Sequence, residues 1–256
     1  FSIPEEQTLS QITSSVIRNL DRLLDSERPD MVIAQGYTPS AFAACLSAFY
    51  RHVAFAHVES GLRSNDISLP FPEEINRRLV NHMSTLCFAP TEISRDYLLK
   101  EGILPDRVFV TGNTVIDALM EVARQPFDWH RSDLIKIPQG KPIVFVAAHR
   151  QENFGKDLRN ICEAVGYLAR MLESRGTQFV FPLHMTPYVH SRIKQVLGGI
   201  TNVHLIETLD YCAFVNLLKN SSMLLGDSDQ MQAEASAFKL PALVIRDGIK
   251  EPTSGA

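Results

Sequence analysis

The chain has 256 residues, of which 45% are hydrophobic and 21% charged, and it carries a formal net charge of -4. This balance excludes a disordered or collagen-like polymer, and the length, about twice a usual domain of roughly 100–150 residues, points to two domains. A negative chain is not built to neutralise the phosphates of a nucleic acid, and no apolar run reaches the roughly 18–20 residues that a membrane span requires. Cys45, Cys87, Cys162 and Cys212 lie far apart without zinc-type spacing, and Phe1 opens no signal-like segment, so a reducing cytoplasm is the expected compartment.

Leu9, Ile12, Val16, Ile17, Leu20, Leu23 and Leu24 recur at spacings of three and four, which predicts a helix over 6–26. Pro29 then precedes an apolar run over 30–34 that ends at Gln35-Gly36, the pattern of a buried strand entering a loop. The next strand, 53–58, leads into His57-Val58-Glu59-Ser60-Gly61-Leu62-Arg63. Pro72 is placed to start a helix whose first turn carries Glu73 and Glu74, where the helix dipole favours negative charge. That placement explains the pair as a helix-start signal as readily as a functional one, whereas Glu59, at a strand end between small residues, has no capping role. Strands over 85–88 and 108–110 and a helix over 115–123 follow, and Pro126, Pro138, Gly140 and several charges mark 125–141 as a linker.

In the second half, strands are predicted over 143–147, 178–183, 203–206, 223–226 and 242–245. The βα alternation predicts an α/β protein with two Rossmann-like domains of mostly parallel sheet, 1–124 and 142–256. The first opens on a helix where such a unit usually opens on a strand, and the second stops soon after its last strand, so both read as shortened. Ligands of open α/β sheets bind beyond the carboxyl ends of the strands. There the sequence places His149 and Arg150 after one strand and His184 after the next, a set suited to an anionic ligand and to proton chemistry near neutral pH. Ser228 follows the strand over 223–226 at a helix start that suits a phosphate, although Asp229 is unfavourable there and simple capping explains the turn equally well.

These segments together resemble the non-hydrolysing UDP-N-acetylglucosamine 2-epimerases, from about Leu9 to Arg246. The likeness rests on H-V-E-S-G-L-R at 57–63, F-P-E-E-I-N-R at 71–77, F-A-P-T-E at 88–92, T-G-N-T-V-I-D-A-L at 111–119, A-H-R-Q-E-N-F-G at 148–155 and P-L-H at 182–184. The resemblance implies a GT-B-like fold with a sugar-nucleotide site in the cleft between the domains. It also implies inversion at C2 of the hexosamine by elimination and re-addition of UDP through 2-acetamidoglucal, with no cofactor and no metal. On the same ground Glu59, Glu73 and His184 are the catalytic candidates. Glu74 could exchange roles with Glu73, Arg63 belongs to the same substrate-side segment, and His149, Arg150, Ser228 and Glu234 contact the nucleotide. A cytoplasmic homodimer serving cell-envelope polysaccharide synthesis is the expected setting.

The sequence departs from the family pattern at the site. Tyr37 stands where the family has an aspartate, Asp229 and Gln230 replace two glycines, and the acidic and basic positions of 246–253 are altered. Two other readings therefore accompany the first: an epimerase of another UDP-sugar, such as a UDP-2,3-diacetamido uronic acid, and a non-catalytic homologue that binds a nucleotide sugar. A GT-B glycosyltransferase fits the long epimerase-like blocks least well.

Overall fold

A computed structural model of the chain describes residues 8–64, 66–131, 133–147, 156–183 and 187–245. The chain divides between Thr114 and Val115 into two compact units. Every strand expected from the sequence is present to within one residue at each end.

The first unit begins with α1 (Leu9–Glu27). Its start is set by a capping box, in which the Thr8 hydroxyl accepts from the Gln11 amide while Gln11 Oε1 accepts from the Thr8 amide. It ends at Arg28, whose φ of 46° turns the chain into β1 (Met31–Gln35). Thr38 caps α2 (Pro39–Tyr50), with Pro39 in the first turn where its missing N–H costs nothing. There follow β2 (Ala54–Val58), α3 (Glu73–Met83), β3 (Leu86–Ala89), α4 (Glu92–Lys100) and β4 (Val108–Val110). The four strands are parallel in the order β1-β2-β3-β4, so the loops leaving their carboxyl ends share one edge of the unit. Cys45, Ala48, Phe55 and Val80 form a core under α2 and α3, and Cys87, Ala89, Leu98, Ile103 and Val108 form a second under α4.

The second unit takes nearly all of α5 (Thr114–Arg124), then β5 (Ile143–Ala147), α6 (Lys156–Leu172), β6 (Gln178–Leu183), α7 (Pro187–Leu197), β7 (Val203–Glu207), α8 (Tyr211–Lys219), β8 (Met223–Gly226), α9 (Asp229–Ala237) and β9 (Ala242–Val244). The parallel order is β7-β6-β5-β8-β9, and two apolar layers cover the sheet on its two faces, as the buried central strands of such a fold require. The strand order reverses between β5 and β8, the switch point at which the crevice of an open sheet forms.

The chain division differs from the expected boundary at 125–141. Leu119 and Ala123 of α5, and Leu134 and Ile137 from the stretch read as a linker, are buried in the core of the second unit. The Pro, Gly and charge content of 125–141 masks two apolar residues spaced three apart, which anchor that segment. No described helix is long and apolar enough to cross a membrane.

Candidate active site

The loops at the carboxyl edge of the first sheet converge on Glu59. Its φ of 61° lies in the left-handed region, rare for a residue with a Cβ and common at positions that surrounding structure holds for a purpose. Gly61 follows with φ of 86°, and a Cβ there would run into the backbone carbonyl of Ser94 in α4, so only glycine lets the turn lie this close. The Ser60 amide donates to Phe88 O at 3.0 Å, fixing the turn to the end of β3. The Glu59 carboxylate receives two hydrogen bonds on one oxygen, from Gln35 Nε2 at 2.8 Å and Thr114 Oγ1 at 2.8 Å. Its other oxygen has no partner among the described residues.

Several other charged groups of this edge are bound to one another. Arg63, with a side chain 1% exposed, donates through Nε and Nη2 to the two carboxylate oxygens of Glu101 at 2.7 and 2.5 Å, and through Nη1 to Leu62 O at 2.6 Å. Burial acts to raise the pKa of Glu101, but the Arg63 guanidinium outweighs it and holds the carboxyl below its usual range. This two-pronged pairing braces the turn that bears Glu59.

Glu74 is fully buried, accepting from the Ser64 amide at 3.2 Å and Arg78 Nε at 2.9 Å, with Arg77 Nη1 at 3.4 Å. It therefore joins α3 to the Glu59 turn. Glu73, half-buried on the same first turn, has a carboxylate with no hydrogen bond or ion pair to a described residue. The geometry separates two neighbours that the sequence left interchangeable.

Tyr37 is explained by its partner. The guanidinium of Arg77, a residue only 6% exposed, lies 4.1 Å from the centre of the Tyr37 ring, and Asn76 Nδ2 donates to Tyr37 O at 3.1 Å. A cation over the face of an aromatic ring is attracted by the ring quadrupole, so the tyrosine packs against the charge. Arg77 Nε is buried without a hydrogen-bond partner among the described residues, and burial lowers the residue's pKa.

His57 links this edge internally. Its ring is fully buried, with Nε2 2.8 Å from Gly36 O and Nδ1 2.5 Å from the Asn81 amide oxygen. Burial, helped by Arg63 and Arg77 and opposed by the hydrogen bonds to Gly36 and Asn81, holds its pKa below the ordinary value, which favours the neutral ring with one N–H. That N–H goes to Gly36 O, and Nδ1 then needs a donor. Asn81 Nδ2 is itself buried without a partner, so the amide turned end for end satisfies both groups.

In the second unit Gly226, the end of β8, lies in register with Ala147, the end of β5, and the Asp227 amide donates to Ala147 O at 3.2 Å. Ser228, which follows β8 at the switch point, is the N-cap residue of α9 and makes no side-chain capping bond. Glu234 is buried on α9, and burial together with the Glu234 carboxylate raises the pKa of Tyr211 at the start of α8. His149, Arg150 and His184 lie outside the described residues.

The structure thus gathers Glu59, Glu73, Glu74 and Arg63 at one edge of the first unit, and places Ser228 just beyond β8 at the switch point of the second, with Glu234 buried on α9. Gln35, Thr114, Glu101 and the Tyr37–Arg77 pair were not singled out as site partners from the sequence. Gln35 sits at a strand end, where the strand-end rule would have pointed to it.

The family model for UDP-N-acetylglucosamine 2-epimerase matches residues 2–253. The chain belongs to the UDP-N-acetylglucosamine 2-epimerase family. A probable UDP-N-acetylglucosamine 2-epimerase of Ralstonia nicotianae is 40% identical over 252 residues, covering 96% of this chain and 67% of the relative. The crystal structure of the Neisseria meningitidis UDP-GlcNAc 2-epimerase bound to UDP-GlcNAc superposes with a TM-score of 0.84 at 39% identity, covering 98% of this chain and 68% of that one. A glycosyltransferase of Rickettsia africae, 14% identical with a TM-score of 0.53 and matched over 94% of this chain and 64% of that one, shares the fold alone and accords with a GT-B-like class. The chain spans about two thirds of the length of the curated epimerase relatives that it matches.

Proposed function

We propose that this chain is the catalytic body of a UDP-N-acetylglucosamine 2-epimerase interconverting UDP-GlcNAc and UDP-ManNAc. The observation that carries the reading is Glu59, held in a left-handed conformation at the carboxyl end of β2 with one carboxylate oxygen unpartnered among the described residues. A base removes the C2 proton, the electron pair of that C–H bond becomes the C1–C2 double bond, and the C1–oxygen bond breaks to release UDP. Re-addition of UDP with protonation from the other face yields the epimer, which calls for a second proton-transfer group. Glu73, close to Glu59 in the sequence pattern and unpaired among the described residues, is that group in this reading. Glu74 and Arg63 brace the turn, and Ser228 and Glu234, with His149, Arg150 and His184 by family likeness, hold the nucleotide.

The resemblance also supports a cytoplasmic homodimer that supplies cell-envelope polysaccharide. The test is incubation of the full chain with UDP-GlcNAc followed by separation of the nucleotide sugars. UDP-ManNAc in a steady mixture supports the reading, and free ManNAc with UDP contradicts the non-hydrolysing form.

A second reading, nucleotide-sugar binding without turnover, has one observation in its favour: Tyr37 packs on Arg77 where the family pattern has an aspartate. Tight binding of UDP-GlcNAc with no epimer formed would establish it.

A further inference from the structure

The two donors to Glu59 come from the end of β1 and the start of α5, 24 and 55 residues away in sequence, yet both reach the same oxygen, Oε1. Gln35 Nε2 also approaches Thr114 Oγ1 at 3.5 Å, which completes a triangle of amide, hydroxyl and carboxylate. A threonine hydroxyl has one hydrogen, here given to Glu59, and lone pairs that accept from Gln35, so the three groups are chemically consistent as arranged. An ordinary surface cross-link would satisfy whichever oxygen lay nearest. Here the carboxylate is locked by one oxygen on a backbone already held at φ of 61°, and Oε2 is left without a partner among the described residues.

We propose that Gln35 and Thr114 are positioning residues for the Glu59 carboxylate: they fix Oε1 and thereby present Oε2 as the oxygen that takes the C2 proton of the sugar. The inference rests on the epimerase reading. Neither residue touches the substrate in this account. Each acts by restricting rotation about the last side-chain bond of Glu59, and proton transfer depends steeply on such alignment. Hydrogen bonds to a charged group are the stronger kind, so loss of one donor is expected to cost on the order of tenfold in rate.

The experiment follows exchange of the C2 hydrogen of UDP-GlcNAc in deuterium oxide, by proton NMR, for the wild-type full chain and for Thr114→Val, Thr114→Ser and Gln35→Leu. The valine keeps the shape of threonine and removes the hydroxyl, while the serine keeps the hydroxyl. Thr114→Val and Gln35→Leu are expected to lower kcat about tenfold with KM changed less than about twofold. Thr114→Ser is expected to recover most of the rate, and the deuterium isotope effect on kcat with C2-deuterated substrate should grow in Thr114→Val as proton transfer becomes slower. Exchange at the wild-type rate in Thr114→Val overturns the inference while leaving the epimerase reading intact. An equal fall in the valine and serine variants, or a change confined to KM, also overturns it. Absence of exchange in the wild type overturns the epimerase reading and this inference with it.

Discussion

Replacing Gly61 by alanine tests how rigidly the Glu59 turn is seated on α4, and Gly36 supplies an internal control. Both glycines have left-handed backbones, φ of 86° at Gly61 and 82° at Gly36, so an alanine at either position meets similar conformational strain of about 1–2 kcal/mol. They differ in surroundings. A Cβ at Gly36 meets nothing within 4 Å, whereas one at Gly61 meets the Ser94 carbonyl oxygen, the Ser94 carbonyl carbon at 2.8 Å and Leu98 Cγ at 3.1 Å. Helix backbone cannot step aside as a flexible side chain can, so forced displacement adds about 1–3 kcal/mol. Gly61→Ala is therefore expected to destabilise the first unit by about 2–5 kcal/mol and Gly36→Ala by about 1–2 kcal/mol. A change of 1 kcal/mol moves the midpoint of a domain of about 60–100 residues by roughly 4–8 °C. Trp129, the single tryptophan, packs on the core of the second unit, so its fluorescence marks that unit while far-UV circular dichroism follows both. The dichroism transition that fluorescence does not share should fall about one and a half times as far or more in Gly61→Ala as in Gly36→Ala. Equal shifts would refute the claim that α4 backbone sets the cost.

Arg63→Lys removes the two-pronged contact with Glu101, and a loss of about 1–3 kcal/mol in stability with UDP affinity unchanged is expected; calorimetry showing lost affinity at full stability would contradict the bracing role. His57 has a folded pKa below its unfolded value of 6.5, because burial disfavours the imidazolium. As pH falls below that value the unfolded chain takes up the proton first, so stability falls until the folded pKa is reached. His57→Gln removes this contribution, and urea midpoints of variant and wild type should approach each other from pH 8 to pH 5; parallel curves would count against a buried neutral ring. Burial pushes the thiols of Cys45, Cys87 and Cys162 up to about 12, 11 and 11, while Cys212 is exposed. A thiol reagent at pH 8 should modify one thiol per folded chain and all four after unfolding, and rapid reaction of a second would show that a buried site opens.

Strand positions were legible because apolar runs such as 143–147 and 178–183, bounded by turn residues, have few other uses in a chain of this length. The start of α1 was missed by three residues because the capping box of Thr8 and Gln11 outranks apolar spacing in deciding where a helix begins. The division between the units falls before 125–141 for a different reason. Local composition at 125–141 signals a loop, while the burial of Leu134 and Ile137 is decided by contacts with distant strands. At the site, Glu59 was recognisable because a carboxylate between small residues at a strand end has no local task. The distinction between Glu73 and Glu74 was not recognisable, since it depends on which neighbour faces Ser64 and Arg78 across the turn. Arg63 was expected in the substrate-side segment by family likeness, and its approach to Glu101, 38 residues away, depends on a tertiary contact that the local sequence does not show.

In the proposed epimerase reaction Glu59 moves the C2 proton, and Glu59→Gln isolates that role because the amide keeps the shape and cannot accept the proton as a base. Proton NMR of UDP-GlcNAc in deuterium oxide, with UDP binding measured in parallel, should show C2 exchange for the wild type. For the variant the account predicts exchange slowed by at least about a hundredfold with UDP bound as before. Exchange by Glu59→Gln at the wild-type rate would contradict the account.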